Sequence, residues 1–248
     1  MARRYVIRQD AAPVAPISGI DYRTALNEEQ YAAVSSEPGP ALVIAGAGSG
    51  KTRTLTYRVA WLLDHGTDPW NILLLTFTNK AAREMTERVR SLIPLDLSRL
   101  WSGTFHSIAN RILRQHAEYL GYTPAFTIMD SDDRKSMIKS VVKSLKLDEK
   151  STRFPKPEVL SSLFSLADNE GANIRETLEN AYPYLSNHLD AILEVHDQYV
   201  ARKQETNSMD FDDLLLNVVR LFQEQEHLRA LYGSRFQPVS YTHLTLPT

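Results

Sequence analysis

The chain alternates between two textures. Ala41-Leu42-Val43-Ile44-Ala45 is wholly apolar, and Asn71-Ile72-Leu73-Leu74-Leu75-Thr76-Phe77 is nearly so. Both runs are short, and turn-forming residues or changes of pattern bound them. As strands they would be buried on both faces, which is the habit of a parallel sheet. Between and after them the apolar positions fall at helical spacing. Helices are expected from about Lys51 to His65, stopped by Gly66; from Asn79 to about Leu92, ended by Pro94; and from Thr104 to Leu120, closed by Gly121. A third strand is expected over 99–102. Strand, helix, strand, helix, strand, helix predicts an α/β fold with a parallel sheet. Upstream, Leu26-Asn27-Glu28-Glu29-Gln30 opens a helix, with Asn27 as N-cap and Gln30 at the third helical position of a capping box. Glu37-Pro38-Gly39-Pro40 breaks it.

Beyond Gly121 the strand-like runs cease. A helix is expected from Asp130 to Leu145, a break at Pro155-Lys156-Pro157, and further helices around 157–168, 187–204 and 210–228. This reads as a helical insertion into the α/β core. Residues 1–20, rich in Ala and Pro and without a period, read as a flexible leader. No internal repeat is present.

Composition narrows the class. Apolar residues at 43% and charged residues at 23% are ordinary globular usage, which excludes wholesale disorder. No apolar run approaches the ~18 residues of a membrane span, and no apolar stretch follows the basic start as a secretory signal would need. Cysteine is absent, so disulfides, thiol nucleophiles and Cys-based zinc sites are excluded. A cytoplasmic protein is the expectation. The net charge of −2 excludes coating of nucleic acid by bulk positive charge. Its distribution is uneven, however. Residues 79–116 carry seven Lys/Arg against three Asp/Glu, whereas 165–228 carry four against thirteen. That asymmetry fits either one anion-facing surface or two solvated helical faces of opposite sign.

The chemistry concentrates in Ala45-Gly46-Ala47-Gly48-Ser49-Gly50-Lys51-Thr52, between an expected strand and an expected helix. Glycines let backbone N–H groups turn inward around a polyphosphate, and the helix N-terminus adds its dipole. Lys51 is placed to reach the β- and γ-phosphates of a nucleotide, and the Thr52 hydroxyl to ligate Mg²⁺. The usual pattern begins with Gly. Ala45, also small, stands in that position. By itself the loop implies a nucleotide hydrolase or a kinase.

Four further segments specify more. They are Gln30 upstream, Thr76-Phe77-Thr78-Asn79-Lys80-Ala81-Ala82-Arg83-Glu84-Met85, Gly103-Thr104-Phe105-His106-Ser107, and Met209-Asp210-Phe211-Asp212-Asp213-Leu214-Leu215. With the loop, and in this order, they resemble the UvrD/Rep/PcrA group of superfamily 1 DNA helicases from about Leu26 to about Phe236. The resemblance implies a RecA-like ATPase motor domain over 21–121, a helical insertion over 122–208 and a return into the motor domain over 209–236. It implies that Gln30 reads the adenine edge and that Arg53 lies near the adenine. It further implies that Phe77 and Asn79, then Thr104 and His106, face DNA, as single strands or single/double-strand junctions. A flat ring offers stacking worth ~1–3 kcal/mol per base. Asp210, Asp212 and Asp213 read better as a helix start than as a metal site.

In the resembling helicases a strand ending in an Asp-Glu pair follows soon after the segment ending at Phe236. Residues 237–248, Gln-Pro-Val-Ser-Tyr-Thr-His-Leu-Thr-Leu-Pro-Thr, contain no carboxylate. They are expected to be a non-native tail on an N-terminal fragment, leaving the sheet one strand short. The rival readings are another P-loop enzyme, such as a small-molecule kinase, and a non-catalytic module that binds ATP or DNA.

Overall fold

The structure, a computed structural model, describes residues 17–37, 39, 41–147, 154–236 and 239–241. It divides into two compact units. The first holds the residues up to Ile108 and those from His227 on; the second is Ala109–Glu226.

In the first unit, α1 (Tyr22–Ala25) and α2 (Glu28–Ser35) precede α3 (Lys51–Asp64). The capping box forms as the sequence predicts. Asn27 Oδ1 accepts from the Gln30 N–H at 2.8 Å, and Gln30 Oε1 accepts from the Asn27 N–H at 3.3 Å. β1 (Leu73–Thr76), α4 (Asn79–Leu92) and β2 (Trp101–Thr104) make a parallel strand–helix–strand unit, with Leu73 opposite Trp101 and Thr76 opposite Thr104. Thr78 caps α4, and Ala82, Met85 and Val89 form its buried stripe. That i, i+3, i+7 spacing lays one helix face on the sheet. The core joins Met85 and Val89 to Val59, Leu63, Ile72, Leu74, Ile93 and residues of α1 and α2.

Four expectations need correction in this unit. The run 41–45 is not a strand; it has no regular structure, and Leu42 and Ile44 are 85% and 78% exposed. An apolar run becomes a strand only when neighbouring strands supply its hydrogen bonds, and among the described residues none does so. The strand expected over 99–102 begins two residues later, because Leu100 N–H is already bonded to the Leu97 carbonyl in a turn. Of the leader expected over 1–20, residues 1–16 lie outside the described residues, and the described part is held in place. Ile17, Ser18 and Tyr22 are fastened to Asp64 at the end of α3. Finally, the sheet is not left short of the strand expected to be missing. β5 (Val239–Tyr241) pairs parallel with β1, Leu73 opposite Val239, giving the order β2–β1–β5.

α5 (Phe105–His116) begins in the first unit and ends in the second. The second unit contains α6 (Ser131–Ser144), α7 (Pro157–Glu170), α8 (Ile174–Ala181), α9 (Leu189–Glu205) and α10 (Phe211–Glu224), around a core that includes Ile138, Leu160, Phe164, Ile192 and Tyr199. A two-residue parallel bridge, β3 (Thr127–Ile128) with β4 (Ser208–Met209), closes it. The unit is therefore larger than the insertion expected over 122–208. α10 remains in it because Leu214 and Leu221 are buried and the helix packs on α7 and on the 3-10 turn Ala117–Leu120. The return to the first unit comes with α11 (Glu226–Arg235). There Tyr232 and Phe236 pack on Trp101, and the Arg235 guanidinium lies 3.3 Å over the Trp70 ring. Among the described residues no helix is long and apolar enough to cross a membrane.

Candidate functional site

The segment 45–52 folds as a tight loop delivering the chain into α3. Gly48 and Gly50 have φ of +77° and +85°, the left-handed region that glycine enters without a Cβ clash. Ser49 turns back on the loop, its N–H and hydroxyl both directed at the Gly46 carbonyl. Gly50 caps α3 without any side-chain bond, so the first-turn N–H groups face the loop with the positive end of the helix dipole behind them. Lys51 Nζ curls over the loop and donates to the carbonyls of Ala45 (3.0 Å) and Gly46 (2.8 Å). An ammonium resting on carbonyl dipoles is available to an anion, because phosphate oxygens are stronger acceptors. Thr52, one residue on, is exposed.

Gln30 reaches this loop. Its Nε2 donates to the Ser49 carbonyl at 3.0 Å, and a Cβ added to Gly50 would stand 2.8 Å from the same nitrogen. Gln30, Ala45, Gly46, Ala47, Gly48, Ser49, Gly50, Lys51 and Thr52 are thus brought together. Arg53 points elsewhere: it donates to the Ala25 carbonyl at 2.8 Å and lies over Tyr57 at 5.1 Å.

The residues expected to face DNA gather at the C-terminal ends of β1 and β2. Phe77 follows β1 directly and is 73% exposed. Asn79 opens α4 and is exposed. Thr104 ends the neighbouring strand, where its Oγ1 accepts from the Ser107 N–H at 3.2 Å; half-buried His106 stands in the first turn of α5. Parallel pairing in register brings these two strand ends side by side.

The acidic trio is structural. Asp210 caps α10 by accepting from the Asp213 N–H, and Asp213 returns the bond to the Asp210 N–H. Two cations that sequence reading passed over hold the trio. Arg134 pairs with Asp212 and approaches Asp210 and Asp168 at 3.7 and 4.0 Å; Lys203 pairs with Asp210 at 3.2 Å and Asp213 at 2.8 Å. Burial pushes the Asp210 carboxyl up, but Lys203 and Arg134 outweigh it and hold it below its ordinary value. Burial raises Asp168 to about 6, helped by the neighbouring aspartates and opposed by Lys203. The missed signal was Arg134 and Lys203 themselves, cations on otherwise apolar helix faces. Among the described residues no three His, Asp or Glu side chains are placed to hold a metal ion.

The sequence profile of the UvrD/REP helicase N-terminal domain matches residues 26–240. The ATP-dependent DNA helicase PcrA of Staphylococcus aureus (strain Mu50) is 39% identical over 220 residues, 88% of this chain and 29% of the relative. PcrA of Staphylococcus epidermidis (strain RP62A) is 40% identical over the same shares. The chain therefore spans about three-tenths of the length of the curated relatives it matches.

Proposed function

This chain belongs to the UvrD/REP helicase family through its N-terminal domain, and from that premise we propose that it is the ATP-binding part of an ATP-dependent translocase and helicase acting on single-stranded DNA or single/double-strand junctions. The observation that carries the reading is the glycine loop with Lys51 folded over it at the open N-terminus of α3, with Gln30 fastened to its backbone. The fold around it is of the RecA-like P-loop type. Lys51 binds the terminal phosphates of ATP. A hydroxyl oxygen is a hard donor suited to Mg²⁺, so Thr52 would hold that ion, whose charge offsets that of the phosphates. Gln30 reads the adenine edge. Arg53, which ties α1 to α3 through the Ala25 carbonyl, is assigned a place near the base on the family pattern. Phe77, Asn79, Thr104 and His106 face the DNA strand.

One observation supports a second, narrower reading for the chain as it stands. Residues 237–248 contain no Asp or Glu, which favours reading the residues in hand as a nucleotide-binding module rather than a complete catalytic site. Fluorescence anisotropy tests the main reading. Single-stranded oligonucleotides should bind more tightly than duplexes, with a shallow salt dependence because the basic stretch 79–116 neutralises few phosphates. Tighter binding to duplex overturns it.

A further inference from the structure

Asp64 is a fully buried carboxylate at the C-terminal end of the helix that the phosphate loop opens. The place is unfavourable twice over. A helix C-terminus carries partial negative charge, and an unpaired buried carboxylate is costly. The neighbours Val59, Ala60, Leu62 and Leu63 are apolar and buried, so packing alone asks for no charge there. What answers it is the strap before α1. Asp64 Oδ1 accepts from the N–H groups of Ile17 (3.1 Å) and Ser18 (2.8 Å), and Oδ2 accepts from the Ser18 and Tyr22 hydroxyls, the latter at 2.7 Å.

From that anchor the strap runs back along α3. The Tyr22 ring packs edge-on against Trp61 and Tyr57, at 5.0 and 6.1 Å between centroids. Ala25 O accepts from Arg53, and two residues later Asn27 caps the helix carrying Gln30. The strap ends where Gln30 grips the Ser49 carbonyl. We infer that Asp64 is a positioning residue for Gln30: by fastening the strap at one end of α3, it sets how the Gln30 amide meets the nucleotide base at the other end. This rests on the proposal that Gln30 reads adenine.

The chemistry of the amide shows why placement matters. Gln30 has two N–H donors and two acceptor lone pairs. One donor is engaged by Ser49 O and one lone pair by Asn27 N–H. The remaining donor and lone pair match adenine, which offers N7 as acceptor and N6 as donor; guanine offers two acceptors on that edge. Such discrimination needs both bonds at once, and an error of ~1 Å is enough to lose it.

The test is the ratio of ATP·Mg to GTP·Mg affinity, measured by calorimetry on the full chain. The native chain should prefer ATP, and Gln30→Ala should abolish the preference. Asp64→Ala should lower the ratio at least fivefold while GTP affinity stays within twofold, since the phosphate loop is untouched. Asp64→Asn should retain most of the ratio, because its oxygen still accepts from Ile17 and Ser18 and its amide can donate to the two hydroxyls. Tyr22→Phe keeps the ring packing and removes one donor; it should lower the ratio two- to threefold, and it serves if Asp64→Ala does not fold. An unchanged ratio in Asp64→Ala, or in Tyr22→Phe where that variant stands in, overturns the inference, as does equal loss of both nucleotides. If Gln30→Ala itself leaves the ratio unchanged, or the native chain binds neither nucleotide, the adenine reading falls and this inference with it.

Discussion

Replacing Arg134 by Met tests the charged centre of the helical unit. In the native chain four carboxylates, Asp168, Asp210, Asp212 and Asp213, meet two cations, Arg134 and Lys203. Methionine fills most of the volume and removes one cation, leaving four carboxylates against Lys203 alone. Breaking a buried pair from one side costs ~3–5 kcal/mol, because the stranded charge stays buried. For a unit of this size that is a fall in melting temperature of about 10–20 °C. The loss should depend on pH in a defined direction. Without Arg134 the folded carboxylates bind protons more readily than the unfolded chain does, so the variant recovers stability as pH falls. Differential scanning calorimetry at pH 7 and pH 5 should show the deficit against the native chain shrinking at the lower pH. A deficit below ~1 kcal/mol at pH 7, or one that is the same at both values, refutes the reasoning that the cluster depends on its cations.

Asp168 gives a related prediction in the native chain. Its folded value of about 6 lies above the unfolded one, so its contribution favours the fold at low pH and is lost as pH rises through 6. Asp168→Asn should raise stability at pH 7 by ~1–2 kcal/mol and flatten the dependence between pH 5 and 7 in urea titrations. Gly50→Ala must hold φ near +85° and place a methyl against Gln30 Nε2. It should cost ~1–2 kcal/mol of stability and weaken ATP binding more than tenfold by calorimetry. Phe77→Ala should lower single-strand affinity by ~1–3 kcal/mol without changing the salt slope, since stacking releases no counterions; anisotropy at several salt concentrations reads both.

Local chemistry was legible in the sequence wherever it is set within a few residues. The box joining Asn27 and Gln30, the Asp210 cap and the glycine loop all depend on near neighbours, and all form at the expected positions. The apolar run 71–77 and the strand it forms agree because its partner strands are in place on both sides. The run 41–45, the more apolar of the two, has no such partners among the described residues, so strand formation there was never a property of the run. The same reasoning explains the opposite error at 239–241, where a segment unlike the expected one pairs with β1 through its backbone, whose hydrogen bonds are indifferent to side chains. The compact helical unit takes in α10 through burial of Leu214 and Leu221, which chain order alone does not reveal. The clasp at Asp64 was invisible for a simple reason: it joins residues more than forty positions apart, and a lone aspartate at a helix end reads as a surface residue.

The central claim is that residues 45–52 bind the phosphates of ATP through Lys51. Isothermal titration of ATP·Mg into the native chain and into Lys51→Ala tests it most directly. The native chain should bind, and the variant should lose at least tenfold in affinity, ~1.4 kcal/mol or more. Equal affinity in the two chains would contradict it.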